Sequence, residues 1–340
     1  MSEEASWTPL HVVTPLIESK PLAKVLSVAV KEPRVILKLD VLQPSGSFKI
    51  RGIGHRCSHA VKRQNCKHLI SSSGGNAGLA VAYSGNKLGV ATTVVVPETC
   101  FQFMRDKMMD EGAKVIVHGK VWNDADAHAR KILEQDKDAV YIHPFDDPLV
   151  WEGHTTLITE VYQQLKDQRA HLTPDTPEGQ VAKPDVIVTV VGGGGLLTGI
   201  VQGLHKVGWA DVPIIACETD GAASFYEAMK RKEHVTLPDI TSIAKTLGAK
   251  QVCKELYDIG INNKHTIIPV KVTDKMAVEA LTKFADDHRC LVEPACGAGL
   301  SALYSKLPEL VSLLEGKQNP LVAVVVCGGN MVTLQSLQEW

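Results

Sequence analysis

Aromatic side chains and long hydrophobic runs are both scarce in this sequence. Phe, Trp and Tyr make up 5% of the 340 residues, although 44% of the residues are hydrophobic. A core must therefore be built mainly from aliphatic and small side chains. No stretch approaches the roughly 18 uninterrupted apolar residues that a membrane-spanning helix needs. The length and hydrophobic content predict a globular protein of two lobes, with no membrane partner.

The sequence also lacks a strong charge of either sign. The formal net charge is −2, and no basic run resembles those that neutralise nucleic-acid phosphates. Residues 1–10 contain Glu3 and Glu4 but neither the basic segment nor the apolar stretch of a secretory signal. We therefore expect a cytoplasmic protein that does not bind nucleic acid.

The cysteines follow no metal-binding or disulfide pattern. Neither a C-x-x-C pair nor the Cys/His spacing of a zinc site is present. Together with the missing signal, this predicts reduced thiols, most of them acting as small buried hydrophobic side chains. The eight residues are Cys57, Cys66, Cys100, Cys217, Cys253, Cys290, Cys296 and Cys327.

A lysine between two apolar residues follows a Ser/Gly-rich turn. The segment 44–52 reads P-S-G-S-F-K-I-R-G, and a helix is expected after the turn, with Ser45 or Ser47 as its N-cap. Lys49 would then lie at the positive end of the helix dipole and in apolar surroundings, both of which lower the pKa of an amine. Such a lysine can act as a nucleophile toward an aldehyde and as a general base. The alternative is an ordinary surface lysine at a helix start.

Strands and helices alternate along the rest of the chain. β-Branched and leucine-rich runs predict strands, and the segments between about 52 and 145 form one α/β lobe. Strands are predicted at 34–40, 66–71, 92–96, 114–117, 140–142, 186–191, 213–217, 266–272 and 321–326. Helices are predicted after the segment 72–78 through about residue 88 and at 101–111, 124–135, 151–165, 196–206, 274–288 and within 293–306. A long surface connection is expected over 167–184, where prolines cluster.

Four consecutive glycines join a buried strand to a helix. The loop 192–195 can turn tightly and direct several backbone N–H groups at an anion beside a helix N-terminus. A phosphate group is the expected ligand of this loop. ATP and NAD are poorly supported, because the Walker motif is missing and Leu197 or Thr198 stands where G-x-G-x-x-G requires its last glycine. Close helix–strand packing is the alternative reason for these glycines.

Four predicted strand ends carry groups capable of chemistry. They are the Lys49 turn, the loop 192–195, Glu218 and Cys327, and ligands in open α/β sheets gather at the carboxyl ends of strands. A nucleophilic amine together with a phosphate-binding loop suggests pyridoxal phosphate, whose aldehyde needs the amine and whose phosphate needs the N–H groups.

The ordered motifs resemble the fold-type II pyridoxal-phosphate enzymes, the tryptophan synthase β-like group. Within that group the chain is similar to L-serine dehydratases that also act on L-threonine. The resemblance implies an α/β fold with two open, twisted, mostly parallel sheets flanked by helices. It places the cofactor between a large domain, 1–51 and 146–340, and a small substrate-binding domain, 52–145. The motifs are those at 44–52, 72–78, 144–148, 192–196, 293–297 and 327–330.

The same resemblance implies a role for individual residues. Lys49 would bind the cofactor as a Schiff base and act as the catalytic base, and Glu218 would help to bind a monovalent cation such as potassium. The other cofactor-binding residues would be Phe48, Asn76, Gly192, Gly193, Gly194, Gly195, Leu196 and Cys327. The substrate carboxylate would be bound by Ser72, Ser73, Gly74, Asn76 and Ala77.

The reaction that the resemblance implies is α,β-elimination of L-serine to pyruvate and of L-threonine to 2-oxobutanoate. Ammonia is released, and the activity would serve amino-acid metabolism and gluconeogenesis. The resemblance also implies that the enzyme is a homodimer. Cys327 would face the pyridine nitrogen, and a thiol is a weak proton donor there. One alternative is β-replacement of the cysteine synthase type. Another is a serine racemase, which Gly74 disfavours because racemases carry a serine at that position. A weakly active, cofactor-binding homologue that acts through protein contacts is the third.

Overall fold

The computed structural model describes residues 8–340. The strands are β1 (Leu16–Glu18), β2 (Arg34–Leu39), β3 (His68–Ser71), β4 (Ala91–Val96), β5 (Lys114–Val117), β6 (Ala139–Tyr141), β7 (Val186–Val190), β8 (Ile214–Thr219), β9 (Ile267–Val272) and β10 (Leu321–Val326). The helices are α1 (Lys20–Leu26), α2 (Lys49–Gln64), α3 (Asn76–Leu88), α4 (Gln102–Asp110), α5 (Trp122–Gln135), α6 (Pro148–His154), α7 (Thr156–Asp167), α8 (Arg169–Leu172), α9 (Gly195–Lys206), α10 (Ser224–Arg231), α11 (Lys254–Ile261), α12 (Asp274–His288), α13 (Pro294–Tyr304), α14 (Pro308–Leu314) and α15 (Leu334–Glu339).

The described chain divides into two compact units, and each contains one sheet. Unit 1 comprises residues 8–12 and Gln43–His154, and unit 2 comprises Val13–Leu42 and Thr155–Trp340. The prediction of an α/β fold with two mostly parallel sheets is confirmed.

Unit 1 has a fully parallel sheet with the strand order β5-β4-β3-β6. The aliphatic run predicted at 92–96 is buried within β4, as expected for a strand covered on both faces. Ile50 and Ile53 of α2 are fully buried and pack in one core cluster with Leu69 of β3. This packing fixes the start of α2 close to the strands of the unit.

Unit 2 has a six-stranded sheet with the order β1-β2-β10-β7-β8-β9. Only β1 is antiparallel to its neighbour; the other pairs in this described sheet are parallel. The central strand β10 is buried along its whole length. Helix α13 approaches α12 so closely that a Cβ atom on Gly297 would lie 2.2 Å from the Ala277 carbonyl oxygen.

Two expectations about helices are corrected by the structure. The helix predicted over 151–165 is divided into α6 and α7, which are separated at Thr155. Gly153 belongs to the close packing of α6 on α2, where a Cβ atom would lie 2.5 Å from the Arg51 carbonyl oxygen. The connection 167–184 also contains the short helix α8. Periodicity alone does not register such close packing, which depends on a distant helix.

The units do not follow the predicted domain bounds of 52 and 145. Residues 43–51 and 146–154 belong to unit 1, because α2 packs against both α3 and α6. The roles predicted for the two domains stay predictions. The prediction that the N-terminus is not a secretory signal falls largely on residues 1–7, which lie outside the described residues.

None of the helices within residues 8–340 has both the length and the apolar character needed to cross a membrane.

Candidate active site

Lys49 is the first residue of α2 and its side chain is half-buried. Its Nζ donates to the Pro144 carbonyl oxygen at 2.7 Å and lies 5.3 Å from the centroid of the Phe48 ring. The predicted serine cap is wrong, because the N-cap is Phe48 with helical torsions (φ −53°, ψ −21°) and no side chain caps the helix. The Ser47 hydroxyl is buried without a hydrogen-bond partner. The amine is thus presented at an uncapped helix start.

His143 organises the turn that contains Pro144. Its Nδ1 accepts hydrogen bonds from the backbone N–H of Asp146 at 2.7 Å and of Phe145 at 3.3 Å. The ring proton therefore resides on Nε2. Burial and the nearby charge of Lys49 lower the pKa of His143 to about 4. A neutral imidazole consequently supports the turn whose Pro144 carbonyl oxygen accepts the hydrogen bond from Lys49.

His154 lies behind Phe48 at the end of α6. The side chain is fully buried, the two ring centroids are 5.1 Å apart, and neither imidazole nitrogen has a hydrogen-bond partner. Burial, with the charges of Lys49 and Arg51, holds the pKa of His154 well below its ordinary value. The His154 ring is therefore neutral and packs against Phe48 at an interplanar angle of 53°.

The predicted substrate loop connects β3 to α3 in the same unit. Asn76 begins α3, whose N-terminus is not capped by a side chain. Ser72 is fully buried; its hydroxyl donates to Asp126 Oδ1 at 2.9 Å and hydrogen-bonds the Tyr141 hydroxyl at 2.7 Å. Ser73 Oγ accepts from the Gly75 N–H at 3.4 Å. The loop is therefore anchored from within unit 1.

Asp126 is the common acceptor of this anchor. Besides Ser72, the Tyr141 hydroxyl and Arg130 Nε donate to its carboxylate, the latter at 2.8 Å. Burial raises the pKa of Asp126, but the hydrogen bonds from Tyr141, Arg130 and Ser72 outweigh this effect and leave the pKa below its ordinary value. The carboxylate therefore remains charged at neutral pH and holds Ser72 in place.

The glycine loop of unit 2 forms the start of α9. Gly194 is the N-cap with φ +91°, and no side chain caps the helix. A Cβ atom on Gly194 would lie 2.8 Å from Leu256 Cδ2, and one on Gly192 would lie 3.0 Å from the Thr246 carbonyl oxygen. The positive φ therefore favours glycine at position 194, and neighbouring atoms leave little room for a side chain at positions 192 and 194. The uncapped N–H groups of the helix start suit a phosphate.

Cys327 directly follows β10 and is 3% exposed. A hydrogen bond with the Cys296 thiol and burial raise the pKa of Cys327 well above its ordinary value. The group is therefore a neutral thiol.

Glu293 hydrogen-bonds residues next to both the glycine loop and the segment 327–330. This residue was not singled out from the sequence. Its Oε1 accepts from Thr246 Oγ1 at 2.7 Å, beside Gly192, and its Oε2 accepts from the Met331 N–H at 3.2 Å, just beyond the segment 327–330. The motif at 293–297 was the only sequence signal for it.

Glu218 lies within β8 and is fully buried. Its two carboxylate oxygens accept from the backbone N–H of Phe225 at 2.9 Å and of Tyr226 at 2.6 Å. Burial raises the pKa of Glu218 to about 8 despite these bonds. No group of three His, Cys, Asp or Glu side chains that could hold a metal ion occurs within residues 8–340. Any cation at Glu218 would thus need oxygen ligands of other kinds, such as backbone carbonyl groups.

The residues fit pyridoxal phosphate in chemical type. Within unit 1 these are an amine (Lys49), an aromatic ring (Phe48) and the helix start at Asn76. Within unit 2 they are the uncapped glycine loop and the buried Cys327 thiol. A family model described as "Pyridoxal-phosphate dependent enzyme" matches residues 8–328. The chain belongs to this family. The pyridoxal-phosphate dependent enzymes share the cofactor that the sequence predicted, and the predicted resemblance is confirmed.

Individual members of the family match almost the whole chain. An L-serine dehydratase of Dictyostelium discoideum is 45% identical over 338 residues, covering 97% of this chain and 91% of that protein. A mouse L-serine dehydratase/L-threonine deaminase is 46% identical, covering 98% and 96%. The crystal structure of a fungal L-serine ammonia-lyase from Rhizomucor miehei superimposes with a TM-score of 0.86 at 35% identity and covers 98% of each chain.

Proposed function

We propose that the chain catalyses pyridoxal-phosphate-dependent α,β-elimination of L-serine to pyruvate and of L-threonine to 2-oxobutanoate, with release of ammonia. The observation that carries the proposal is the half-buried Lys49 amine at the start of α2, 2.7 Å from the Pro144 carbonyl oxygen. The names of the Dictyostelium and mouse relatives support the same reaction.

The cofactor would be held by residues of matching chemistry. The N–H groups of the loop at the start of α9 would bind its phosphate. Lys49 would bind it covalently, and Phe48, backed by His154, would pack against its ring. Asn76 and the neutral Cys327 thiol would hydrogen-bond polar atoms of the ring. When bound, pyridoxal phosphate withdraws electrons from the substrate α-carbon.

The substrate amine would first take the place of Lys49, and the freed Lys49 amine would then remove the substrate α-proton as general base. The Pro144 carbonyl oxygen orients the amine, and His143 stays neutral beside it. The electron pair of the α C–H bond forms the α,β double bond as the β C–O bond breaks, and the hydroxyl leaves as water after taking up a proton. The released enamine takes up water, which breaks its C–N bond and gives the 2-oxo acid and ammonia.

The substrate carboxylate would be bound by the loop between β3 and α3. The uncapped start of α3 offers backbone N–H groups and the positive end of the helix dipole. Ser73, Gly74, Asn76 and Ala77 form this end of the loop, whereas Ser72 anchors it through Asp126 and Tyr141.

Three finer points belong to the same proposal. A monovalent cation such as potassium would bind at Glu218, whose buried carboxylate would be stabilised in its charged form by a cation. The enzyme would act in the cytoplasm, which agrees with the eight free cysteines. It would form a homodimer, and sedimentation that gives only the mass of a monomer would contradict this.

The test compares the parent enzyme with Lys49→Ala and with Lys62→Ala, which removes an exposed lysine from the same helix. Release of 2-oxo acid from L-serine and L-threonine is measured with added pyridoxal phosphate. We expect Lys49→Ala to lose at least about 1,000-fold in rate and Lys62→Ala to keep the parental rate. No release by the parent protein, despite a cofactor absorbance that Lys49→Ala lacks, would refute the elimination. Adding sulfide tests β-replacement, which would give cysteine instead.

A further inference from the structure

Gly74 occupies the middle of the predicted substrate loop, yet its backbone does not require glycine. Its φ is not in the left-handed region, in contrast to Gly194. The side-chain direction is instead blocked. A Cβ atom on Gly74 would lie 2.9 Å from Cys100 Sγ, 3.1 Å from Cys100 Cβ and 3.7 Å from Val96 Cβ. The first of these distances is too short for a stable contact, so Cys100 determines which residue fits at position 74.

Cys100 is also hydrogen-bonded to Gly74. Its Sγ donates to the Gly74 carbonyl oxygen at 3.3 Å and lies 3.7 Å from the Phe101 carbonyl oxygen. The thiol follows β4 in a turn closed by a hydrogen bond from the Cys100 N–H to the Pro97 carbonyl oxygen at 3.0 Å. Burial raises the pKa of Cys100, and the thiol therefore remains protonated and able to donate.

The steric contact and the hydrogen bond are not independent. An alanine at position 74 would need Cys100 Sγ to move away, and this movement would break the bond from Sγ to the loop carbonyl. A single side chain thus fills the volume beside the loop and fixes the position of its backbone. In the reaction proposed above, the loop binds the substrate carboxylate, and its position controls affinity.

We propose that Cys100 is a positioning residue for amino-acid substrates: it holds the substrate loop at the Gly74 carbonyl and excludes any side chain at position 74. The pair therefore determines how tightly the carboxylate is bound. The inference rests on the proposed function for the identity of the ligand. It also follows that a serine at position 74 would not fit without a change at Cys100.

The test is a double-mutant cycle with Gly74→Ala, Cys100→Ala and the double variant, all as holoenzymes. The probe is L-alanine, which has the substrate amine and carboxylate but no β-hydroxyl, so that it binds without elimination. Its dissociation constant is measured from the change in cofactor absorbance, and kcat and KM for L-serine are measured in parallel. Failure of the parent to release 2-oxo acid would refute the proposed function, whereas the L-alanine cycle still tests the positioning role.

We expect Cys100→Ala to raise the dissociation constant about threefold, as for loss of one weak hydrogen bond. Cys100→Ser keeps a donor of smaller size and is expected to remain within about twofold of the parent. Gly74→Ala should raise the dissociation constant of L-alanine about tenfold or more. The double variant should recover most of the lost affinity. The effect should fall on KM, with kcat little changed.

Cys66→Ala is the matched control. Cys66 is a buried thiol of the same unit, and its Sγ donates to the His68 carbonyl oxygen at 3.2 Å, at the opposite end of β3. Its loss should lower the unfolding temperature without changing L-alanine affinity. The proposal is overturned if Cys66→Ala weakens binding as much as Cys100→Ala does. It is equally overturned if Gly74→Ala has the same effect with and without Cys100→Ala.

Discussion

Gly52 of α2 faces His154 of α6, whose ring packs against Phe48, with no room for a side chain between them. A Cβ atom on Gly52 would lie 2.7 Å from His154 Nε2 and 2.4 Å from the Val150 carbonyl oxygen. The second of these atoms belongs to the backbone and cannot turn away. The pair therefore determines how close α6 comes to the helix that begins with Lys49.

Gly52→Ala is expected to destabilise the protein by about 2 kcal/mol or more, because overpacking against backbone forces the helices apart. The matched control is Gly54→Ala on the same helix. A Cβ atom there would meet only side chains, Leu10 Cβ at 3.1 Å and Ile50 Cδ1 at 3.3 Å, and alanine gains helix propensity of about 1 kcal/mol over glycine. Urea unfolding should show a large loss of unfolding free energy for Gly52→Ala and a small one for Gly54→Ala. Equal losses would contradict the assigned contact.

The stability of the protein should fall as the pH is lowered from about 6.5 to about 4. The native pKa of His143 is about 4, whereas an unfolded histidine has a pKa near the ordinary value of 6.5. The unfolded state therefore binds more protons in this window, which favours unfolding as the pH falls. Because one pKa unit corresponds to about 1.4 kcal/mol, His143 accounts for at most about 3 kcal/mol. The charged groups that act on it are Lys49, Asp126, Arg130 and Asp147.

His143→Asn tests this assignment. The asparagine carbonyl oxygen can accept the Asp146 N–H in place of Nδ1, but the amide does not titrate. Urea midpoints at pH 7 and pH 5 should differ less for His143→Asn than for the parent. An unchanged difference would mean that other groups, such as His154, cause the pH dependence.

Gly194→Ala should weaken pyridoxal phosphate binding about tenfold or more, since the substitution strains φ +91° and brings a Cβ atom to 2.8 Å from Leu256. Gly208→Ala is the control, because Gly208 also has a positive φ, +78°, in the same unit but has nothing within 4 Å of its Cβ position. It should lose about 1 kcal/mol of stability and keep its cofactor affinity. The dissociation constants follow from absorbance titration. Equal affinities in both variants would show that the glycine loop does not hold the phosphate.

Potassium is expected to raise the thermal unfolding temperature by a few degrees relative to tetramethylammonium at equal ionic strength. A cation that binds the native carboxylate of Glu218 stabilises the folded state by mass action. Glu218→Ala should abolish the difference between the salts. This variant also loses the acceptor of the Phe225 and Tyr226 N–H groups, so its lower overall stability is expected. Identical unfolding temperatures of the parent in both salts would refute the site.

The parts of the fold that the sequence predicted correctly are those with local signals. The strand at β4 and the helix after the four glycines each depend on a short segment, an aliphatic run in one case and a glycine-to-helix junction in the other. Lys49 was located correctly at a helix start for the same reason. The cap at that start was not, because the torsions of Phe48 extend the helix by one residue without any serine.

The features that were not predicted depend on residues far apart in sequence. Cys100 has no local mark, since its importance comes from the contact of its thiol with Gly74. Asp126 likewise looks like one acid of an amphipathic helix until Ser72 and Tyr141 are found beside it. The division at Thr155 also depends on packing between helices. Such contacts require the positions of whole strands and helices, which composition and periodicity do not supply.

The pairing of β2 with β10, from Arg34 opposite Leu321 to Leu39 opposite Val326, has a consequence for biosynthesis. A ribosome releases β2 well before its central partner β10, because almost the whole of both units lies between them along the chain. The segment Gln43–His154 emerges in between and can fold first, while β2 waits with one unpaired edge that is prone to aggregation. The larger sheet is therefore completed only after β10 has been synthesised, and chaperone dependence of the nascent chain should be concentrated in β1 and β2.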